Sequence, residues 1–195
     1  IDQVYLDFQA IPSPDKKSKY SDVLIAALPK DTVDPYVECL KKAGLSPRVL
    51  EVESQSISRA LIKDGCCPYP VLIIDFGKSN TSFIIYAGSS LRFTSSISVS
   101  SYELTDKISQ ALDIDFKTAE KLKLEHGLHP KEIKVKGKKT SKEKYVSAVK
   151  SVMKELQGQV ERYSDYYQSH AKKNGKSFQE IKKVVLCGRG ANLKG

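Results

Sequence analysis

The order of apolar and polar residues predicts a small α+β unit at the start of the chain. Residues 4–10 alternate between apolar and polar side chains, as a half-buried strand does, and residues 22–28 form an apolar run of strand length. A helix is expected over 33–41, ended by Gly44, because glycine readily adopts the left-handed conformation that closes a helix. A further strand over 48–52 and a second short helix complete this unit.

The centre of the chain predicts a three-stranded meander. Segment 64–70 is rich in glycine and proline and indicates a domain boundary. Short strands are expected after it over 71–75, 81–86 and 91–95, with tight turns between them. Residues 71–74 are continuously apolar, so we expect this first strand to be covered on both faces.

Helical periodicity dominates the remainder. Two amphipathic helices are expected over 102–112 and 115–127, and a long helix over 142–171. The apolar positions of the long helix follow a period near 3.6 residues, and we interpret them as core rather than as a ligand site. They are Tyr145, Val149, Val152, Leu156, Val160, Tyr163 and Tyr167. A last buried strand over 181–187 leads into a glycine-rich end.

Composition is that of a globular protein, with an excess of basic residues in the second part. No apolar run approaches the roughly 18 residues of a membrane span. The net charge is +9, and residues 131–144 hold seven lysines and two glutamates. A basic run can indicate binding to nucleic acid or anionic lipid. Because this one lacks aromatic residues for base stacking, we interpret it as a solvent-exposed hairpin or loop and expect no nucleic-acid partner.

The spacing of the cysteines leads us to expect a cytosolic protein. Four cysteines occur, none in a C-x-x-C pair, so we expect reduced structural cysteines rather than a zinc or redox site. The start of the chain has no signal-peptide pattern. Because its first residue is Ile1, we also expect the chain to begin inside a longer protein.

The first candidate site follows the apolar run 71–74. Glycine lets the backbone approach an anion closely, and successive N–H groups of a tight turn can bind one. Asp75 would hold Mg²⁺ through water, because hard cations prefer oxygen ligands. Alternatively, the segment only closes a hairpin. The candidate ligands are Asp75, Gly77, Lys78, Ser79, Asn80 and Thr81.

Two further motifs are candidate nucleoside contacts. The strand over 181–187 ends at Gly188, Gly190 and Ala191, where bare backbone would let a ligand lie close. Glu120 and Lys123 lie three residues apart on one helical face and could hydrogen-bond a ribose and a base. The alternative for this pair is a solvent-exposed ion pair.

Taken in order, the three motifs resemble the second half of the actin-like ATPase fold. In that superfamily they are the second phosphate loop, the nucleoside-contacting helix and the adenosine motif. The resemblance is closest to the PilM family of type IV pilus assembly proteins, and it extends to Ala43–Pro47, with Leu50–Glu53, and to residues 161–167. It implies a binding site for ATP and Mg²⁺.

The resemblance also implies a fold class and domains. We expect an α/β protein that is one half of an actin-like, ribonuclease H-like ATPase with a small α+β subdomain. Residues 1–69 would be the subdomain called 1C, and residues 70–195 the nucleotide-binding half, 2A, with a 2B-like insertion at about 113–142. We expect the family's first phosphate loop to lie upstream and the last loop to be incomplete. We therefore expect these 195 residues alone to bind ATP weakly or not at all.

The function implied by the resemblance is that of a scaffold. PilM-like proteins lie in the cytoplasm against the inner membrane and bind the N-terminal tail of a membrane-anchored, PilN-like partner. Other pilus assembly proteins are further expected partners, homo-oligomers are possible, and ATP hydrolysis would be slow at most, with no catalytic residue assigned. The alternatives are an FtsA-like division protein and a small-molecule kinase. Lys78, Ser79 and Arg189 depart from the residues common at these positions.

Overall fold

The computed structural model describes residues 2–11, 22–135, 138–173 and 180–195. Its strands and helices are β1 (Val4–Ile11), β2 (Asp22–Pro29), α1 (Lys30–Lys42), α2 (Glu53–Leu61), β3 (Cys67–Phe76), β4 (Thr81–Gly88), β5 (Ser90–Ile97), α3 (Ser101–Leu112), α4 (Phe116–His126), β6 (Lys134–Val135), β7 (Lys138–Lys139), α5 (Lys142–Lys173) and β8 (Lys183–Cys187). They form two compact units, Ile1–Pro68 with Tyr86–Leu91, and Tyr69–Ile85 with Arg92–Gly195. The assignment of these units to named subdomains remains a prediction.

In the first unit, a β-hairpin packs one face on a helix. Strands β1 and β2 pair antiparallel, with Phe8 opposite Ile25. The Tyr5 hydroxyl donates a hydrogen bond to Asp34 of α1 over 2.7 Å, so α1 covers the face that carries Tyr5. Helix α1 ends as predicted: Gly44 adopts φ +77°, and the amide of Leu45 reaches back to the carbonyl of Leu40.

The predicted strand over 48–52 is wrong. This segment precedes α2 without regular structure, and Val49 and Leu50 are 70% and 51% exposed. Its apolar residues match a strand pattern, but within the described residues β1 and β2 form a sheet of their own. A strand without a neighbour cannot pair its backbone N–H and C=O groups.

The second unit is built on a four-stranded sheet in the order β5–β4–β3–β8. Strands β3, β4 and β5 follow one another through turns too short for a parallel crossover, so they form the predicted antiparallel meander. Strand β8 lies parallel to β3, with Leu72 opposite Val184. Leu72 and Ile73 are fully buried, which confirms that β3 is covered on both faces.

The last strand is shorter and more exposed than predicted. It spans Lys183–Cys187 rather than 181–187, and Val184 and Leu186 are 52% and 60% exposed. The apolar sequence suggested a central strand, but β8 lies at the edge of the sheet, so within the described residues only β3 pairs with it.

Helices α3, α4 and α5 form the main core of the second unit. Ser100 accepts a hydrogen bond from the amide of Glu103, and Asp115 accepts one from Thr118, so both short helices start at capping residues. The periodic positions of α5 are core as predicted: Tyr145 and Val152 are buried in a cluster with α3 and α4, and Tyr163 packs beside sheet residues.

Part of the basic segment, which we expected to be a hairpin or loop, forms a short antiparallel strand pair. Lys134 and Val135 of β6 pair antiparallel with Lys139 and Lys138 of β7. Among the described helices, none combines the length and apolar character needed to cross a membrane.

Candidate nucleotide-binding site

The turn between β3 and β4 is held tightly by its own backbone. The amide of Gly77 donates to the carbonyls of Asp75 and Asn80, over 3.1 and 3.0 Å. A Cβ atom at position 77 would lie 2.7 Å from the Asn80 carbonyl oxygen, so the turn requires glycine here. The predicted phosphate loop is therefore a compact turn at the end of a buried strand.

This turn is attached to the start of α3. The amide of Ser101 donates to the carbonyl of Gly77, and the amide of Tyr102 donates to that of Lys78, each over 3.0 Å. The Ser100 hydroxyl oxygen accepts a hydrogen bond from the amide of Glu103. These first-turn amides, which could otherwise bind an anion, hold the loop and cap the helix instead.

The polar side chains of the turn divide into two groups. The Thr81 hydroxyl is fully buried and donates to the carbonyl of Val99 over 2.6 Å, and the Asn80 amide donates to Ser96 over 3.0 Å. Both side chains fix the loop to neighbouring backbone and side chains. Lys78 and Ser79 are exposed at its tip, where they could contact a bound phosphate.

The glycine-rich segment lies directly against the turn. In the parallel ladder Asp75 is opposite Cys187, so Gly188 follows beside it. A Cβ atom at Gly188 would lie 2.2 Å from Asp75 Oδ1, and one at Gly190 would lie 2.4 Å from the Phe76 ring. Gly188 also adopts φ +82°. The glycines therefore make room for Asp75 and Phe76, a role that the sequence did not indicate.

The end of this segment is anchored to α4. Ala191 donates its amide to the carbonyl of Gly188 over 3.2 Å within a single 3-10 turn, Arg189–Asn192. The amide of Leu128 then donates to the carbonyl of Lys194 over 2.7 Å. A Cβ atom at Gly127 would lie 1.9 Å from that carbonyl oxygen, so glycine is required where the two segments meet.

Asp75 has the chemistry of a water-mediated magnesium ligand. In the described part of the chain, no group of three or more His, Cys, Asp and Glu side chains could hold a metal ion by itself. Mg²⁺ keeps several waters and needs only one or two carboxylates when phosphates supply other oxygens. The carboxylate of Asp75 is half-buried at the strand end, beside the turn, and fits that requirement.

Glu120 and Lys123 form a buried cluster rather than the exposed ion pair that was the alternative. The Lys123 side chain is only 3% exposed, and its ammonium group lies 2.7 Å from Glu120 Oε2. It also donates to the carbonyl and hydroxyl of Ser101, over 3.0 and 2.8 Å, and to the Thr105 hydroxyl over 2.8 Å. Lys123 therefore ties α4 to the start of α3, beside the turn that α3 holds.

Glu120 is the part of this cluster that reaches solvent. Its side chain is 31% exposed. Burial alone would raise the pKa of Glu120, but hydrogen bonds from Lys123 and Thr105, with the charges of Lys123 and Arg189, lower it below its usual value. Arg189 belongs to the glycine-rich segment, so a charge on that segment contributes to lowering the pKa of Glu120.

The structure thus brings the three predicted motifs together. Asp75 contacts the glycine-rich segment, and Glu120 and Lys123 contact the helix start that holds the turn. Sequence reasoning missed Ser101 and Thr105, which complete the cluster. The only available signal was their spacing of four residues on one face of a predicted helix.

Solved structures share this fold. A PilM–PilN type IV pilus biogenesis complex matches with a TM-score of 0.71 at 20% identity, covering 100% of this chain and 52% of that one. MreB5 of Spiroplasma citri bound to AMPPNP matches with a TM-score of 0.63 at 20% identity, covering 86% and 55%. The predicted fold, one half of an actin-like ATPase, is confirmed.

Sequence comparison identifies the family. The cell division protein FtsA of Enterococcus hirae is 28% identical over 99 residues, 51% of this chain and 22% of that protein. The chain thus aligns with about a fifth of this curated relative and spans about half of the solved PilM structure. The family model described as type IV pilus assembly protein PilM matches residues 1–195, and the chain therefore belongs to the PilM family.

Proposed function

We propose that the chain supplies one wall of the nucleotide site in a cytoplasmic, ATP-binding scaffold of type IV pilus assembly. The observation that carries the proposal is the convergence of Asp75, Glu120 and Gly188 around one turn and one helix start. Membership of the PilM family supports pilus assembly over cell division, because the FtsA similarity covers only 51% of the chain.

Each residue of the site would contact a different part of the nucleotide or position another residue. Lys78 and Ser79 would contact phosphate oxygens from the exposed turn, and Asp75 would hold Mg²⁺ through water, which neutralises phosphate charge. Glu120 would accept a hydrogen bond from a ribose hydroxyl, because its carboxylate reaches solvent while Lys123 holds it in place. The Lys123 ammonium group would act indirectly, by orienting Glu120.

Titration of Mg·ATP tests this proposal. The protein expressed from its complete gene should bind Mg·ATP, with at most slow hydrolysis. The 195-residue chain should bind it weakly or not at all, because one wall supplies only part of the contacts. Isothermal calorimetry of both proteins distinguishes the outcomes. Tight binding by the 195-residue chain would contradict the one-wall proposal, and no binding by the complete protein would contradict the nucleotide function.

Partner binding belongs to the first unit in this proposal. The PilM in the similar solved structure is complexed with PilN. Here, an apolar sheet face lies opposite α1 and carries Leu6, Phe8, Val23 and Ile25, of which Leu6, Phe8 and Ile25 are 61%, 71% and 64% exposed. Such a face would take the N-terminal tail of a PilN-like membrane protein. The tail would keep the scaffold at the inner membrane, beside other pilus assembly proteins and further copies of itself.

A binding assay with the partner's tail separates this role from nucleotide binding. Phe8→Asp should weaken capture of the tail peptide about tenfold or more, because it places a charge on the proposed contact face. Tyr36→Asp is the control, since Tyr36 is 68% exposed on α1 instead. Equal binding by the Phe8 variant and the parent protein would exclude this face.

A further inference from the structure

A groove in the second unit contains none of the predicted nucleotide-site residues in its lining. Its walls are the segment 128–130 after α4 and one face of α5, and it encloses about 460 Å³. The floor is formed by Val146, Val149 and Met153, and Lys142 and Lys150 stand at its rim. Apolar pockets of this size are typical of ligand and peptide sites.

The spacing of the α5 residues gives the groove its shape. Residues 142, 146, 149, 150 and 153 follow one another at helical intervals, so they share one face of α5. From the first to the last, the helix rises by roughly 16 Å. The wall that α5 contributes is therefore about as long as three turns of a bound helix.

Hydrogen bonds beside segment 128–130 indicate that the groove is preformed. The fully buried Tyr145 donates its hydroxyl to the carbonyl of Gly127 over 2.8 Å, which joins α5 to the end of α4. The amide of Leu128 donates to the carbonyl of Lys194. A wall fixed on both sides loses little conformational freedom when a ligand binds.

The charge at the rim selects the kind of ligand. Lys142 and Lys150 are exposed, and in the parts of the chain that the structure describes neither makes an ion pair with a carboxylate. The exposed ring of His129 lies at the same rim. An apolar floor between cationic groups complements apolar side chains flanked by acidic ones.

We propose that this groove binds an acidic amphipathic helix of a protein partner, with apolar residues on the floor and carboxylates beside Lys142 and Lys150. Helix-in-groove recognition uses such anchors at i, i+3, i+4 and i+7. The groove is concave, which favours inserted side chains over the flat surface of a membrane. The proposal is independent of nucleotide binding.

Fluorescence anisotropy with a designed probe tests the proposal on the 195-residue chain. The probe is a fluorescein-labelled helical peptide of about 11 residues, the length that matches ~16 Å, with leucines at i, i+3, i+4 and i+7 and glutamates between them. We expect saturable binding that weakens about tenfold or more in the variant Lys142→Glu/Lys150→Glu. A peptide with lysines in place of the glutamates should not bind.

The control variant is Lys107→Glu/Lys121→Glu, which changes the net charge equally at exposed lysines of α3 and α4 outside the groove. It should bind the peptide as the parent does. Loss of binding in both variants would show a general charge effect and overturn the proposal. Absence of peptide binding in the parent would overturn it too.

Two further measurements locate the site and exclude a lipid. A benzophenone-bearing form of the same peptide should cross-link to residues 128–130 and 142–153, as read by mass spectrometry. Cross-links confined to other segments would contradict the groove assignment. Sedimentation with phosphatidylserine-containing vesicles should show no dependence on Lys142 and Lys150, and a dependence without peptide binding would assign these lysines to a membrane instead.

Discussion

The ammonium group of Lys123 lies buried between two helices and is surrounded by oxygen atoms of Ser101, Thr105 and Glu120. A charge removed from water is tolerated only when it is paired and hydrogen-bonded, as this one is. The same group reaches the helix start that holds the phosphate turn. Lys123 therefore holds α4 against the start of α3, and Glu120 carries the charge that solvent can reach.

Replacement of Lys123 tests this arrangement. Lys123→Met should lower the free energy of unfolding by about 2 to 3 kcal/mol, less than for a fully buried ion pair because Glu120 can still be hydrated. Urea denaturation measures the change. The neighbouring Lys121→Met is the control, since Lys121 is exposed and should cost less than about 0.5 kcal/mol. Equal effects of the two variants would contradict a buried role.

The pH dependence of stability tests the contribution of Glu120 to the ion pair with Lys123. The pKa of Glu120 is lowered in the folded protein. The ionised Glu120 side chain therefore stabilises the fold fully above the pKa of the unfolded chain, and this stabilisation is lost as the pH falls through the folded-state pKa. The stability difference between the parent and Glu120→Gln should therefore be largest near neutral pH and shrink below about pH 4.5. Urea midpoints measured across this range give the answer, and a difference that grew on acidification would have the wrong sign.

At the scale of elements, the parallel pair of β3 and β8 organises the site. The two strands end side by side, so the turn after β3 and the glycine-rich segment after β8 meet at one edge of the sheet. Helix α3 then holds the turn, and the residues that follow α4 hold the end of the glycine-rich segment. Each motif is thus attached to two elements that are distant in sequence.

A glycine substitution tests the fit between these segments. Gly188→Ala should lower the free energy of unfolding by about 2 to 4 kcal/mol, because the added Cβ meets the Asp75 carboxylate and φ is +82°. Gly158→Ala is the matched control in α5, where nothing lies within 4 Å and alanine should stabilise by up to about 1 kcal/mol. Thermal or urea unfolding compares the two variants. An unchanged free energy of unfolding in Gly188→Ala would contradict close packing of the glycine-rich segment against Asp75.

The sequence predicted elements better than their environments. Hydrophobic periodicity located α5 and its core positions because the spacing repeats from Tyr145 to Tyr167 and leaves little ambiguity. It failed over 48–52 and for the exposure of Val184, because pairing and sheet position depend on residues far along the chain. The burial of Lys123 could not be predicted for the same reason, because its partners Ser101 and Thr105 lie on another helix.

At the scale of the whole molecule, the two units separate two proposed roles. The first unit carries an exposed apolar sheet face, suited to a partner's tail, and the second carries the three motifs of the nucleotide site. Because the chain spans about half of the solved PilM structure, ATP binding and partner binding are properties to be measured on the complete protein.

The central claim is that Asp75 and the segments around it form one wall of a Mg·ATP site. Calorimetric titration of the protein expressed from its complete gene tests it most directly, with Asp75→Ala compared to Asp165→Ala, a change at an exposed aspartate of α5. We predict that Asp75→Ala weakens Mg·ATP binding about tenfold or more by removing the water-mediated metal contact, while Asp165→Ala binds as the parent does. Unchanged affinity in the Asp75 variant would contradict the account.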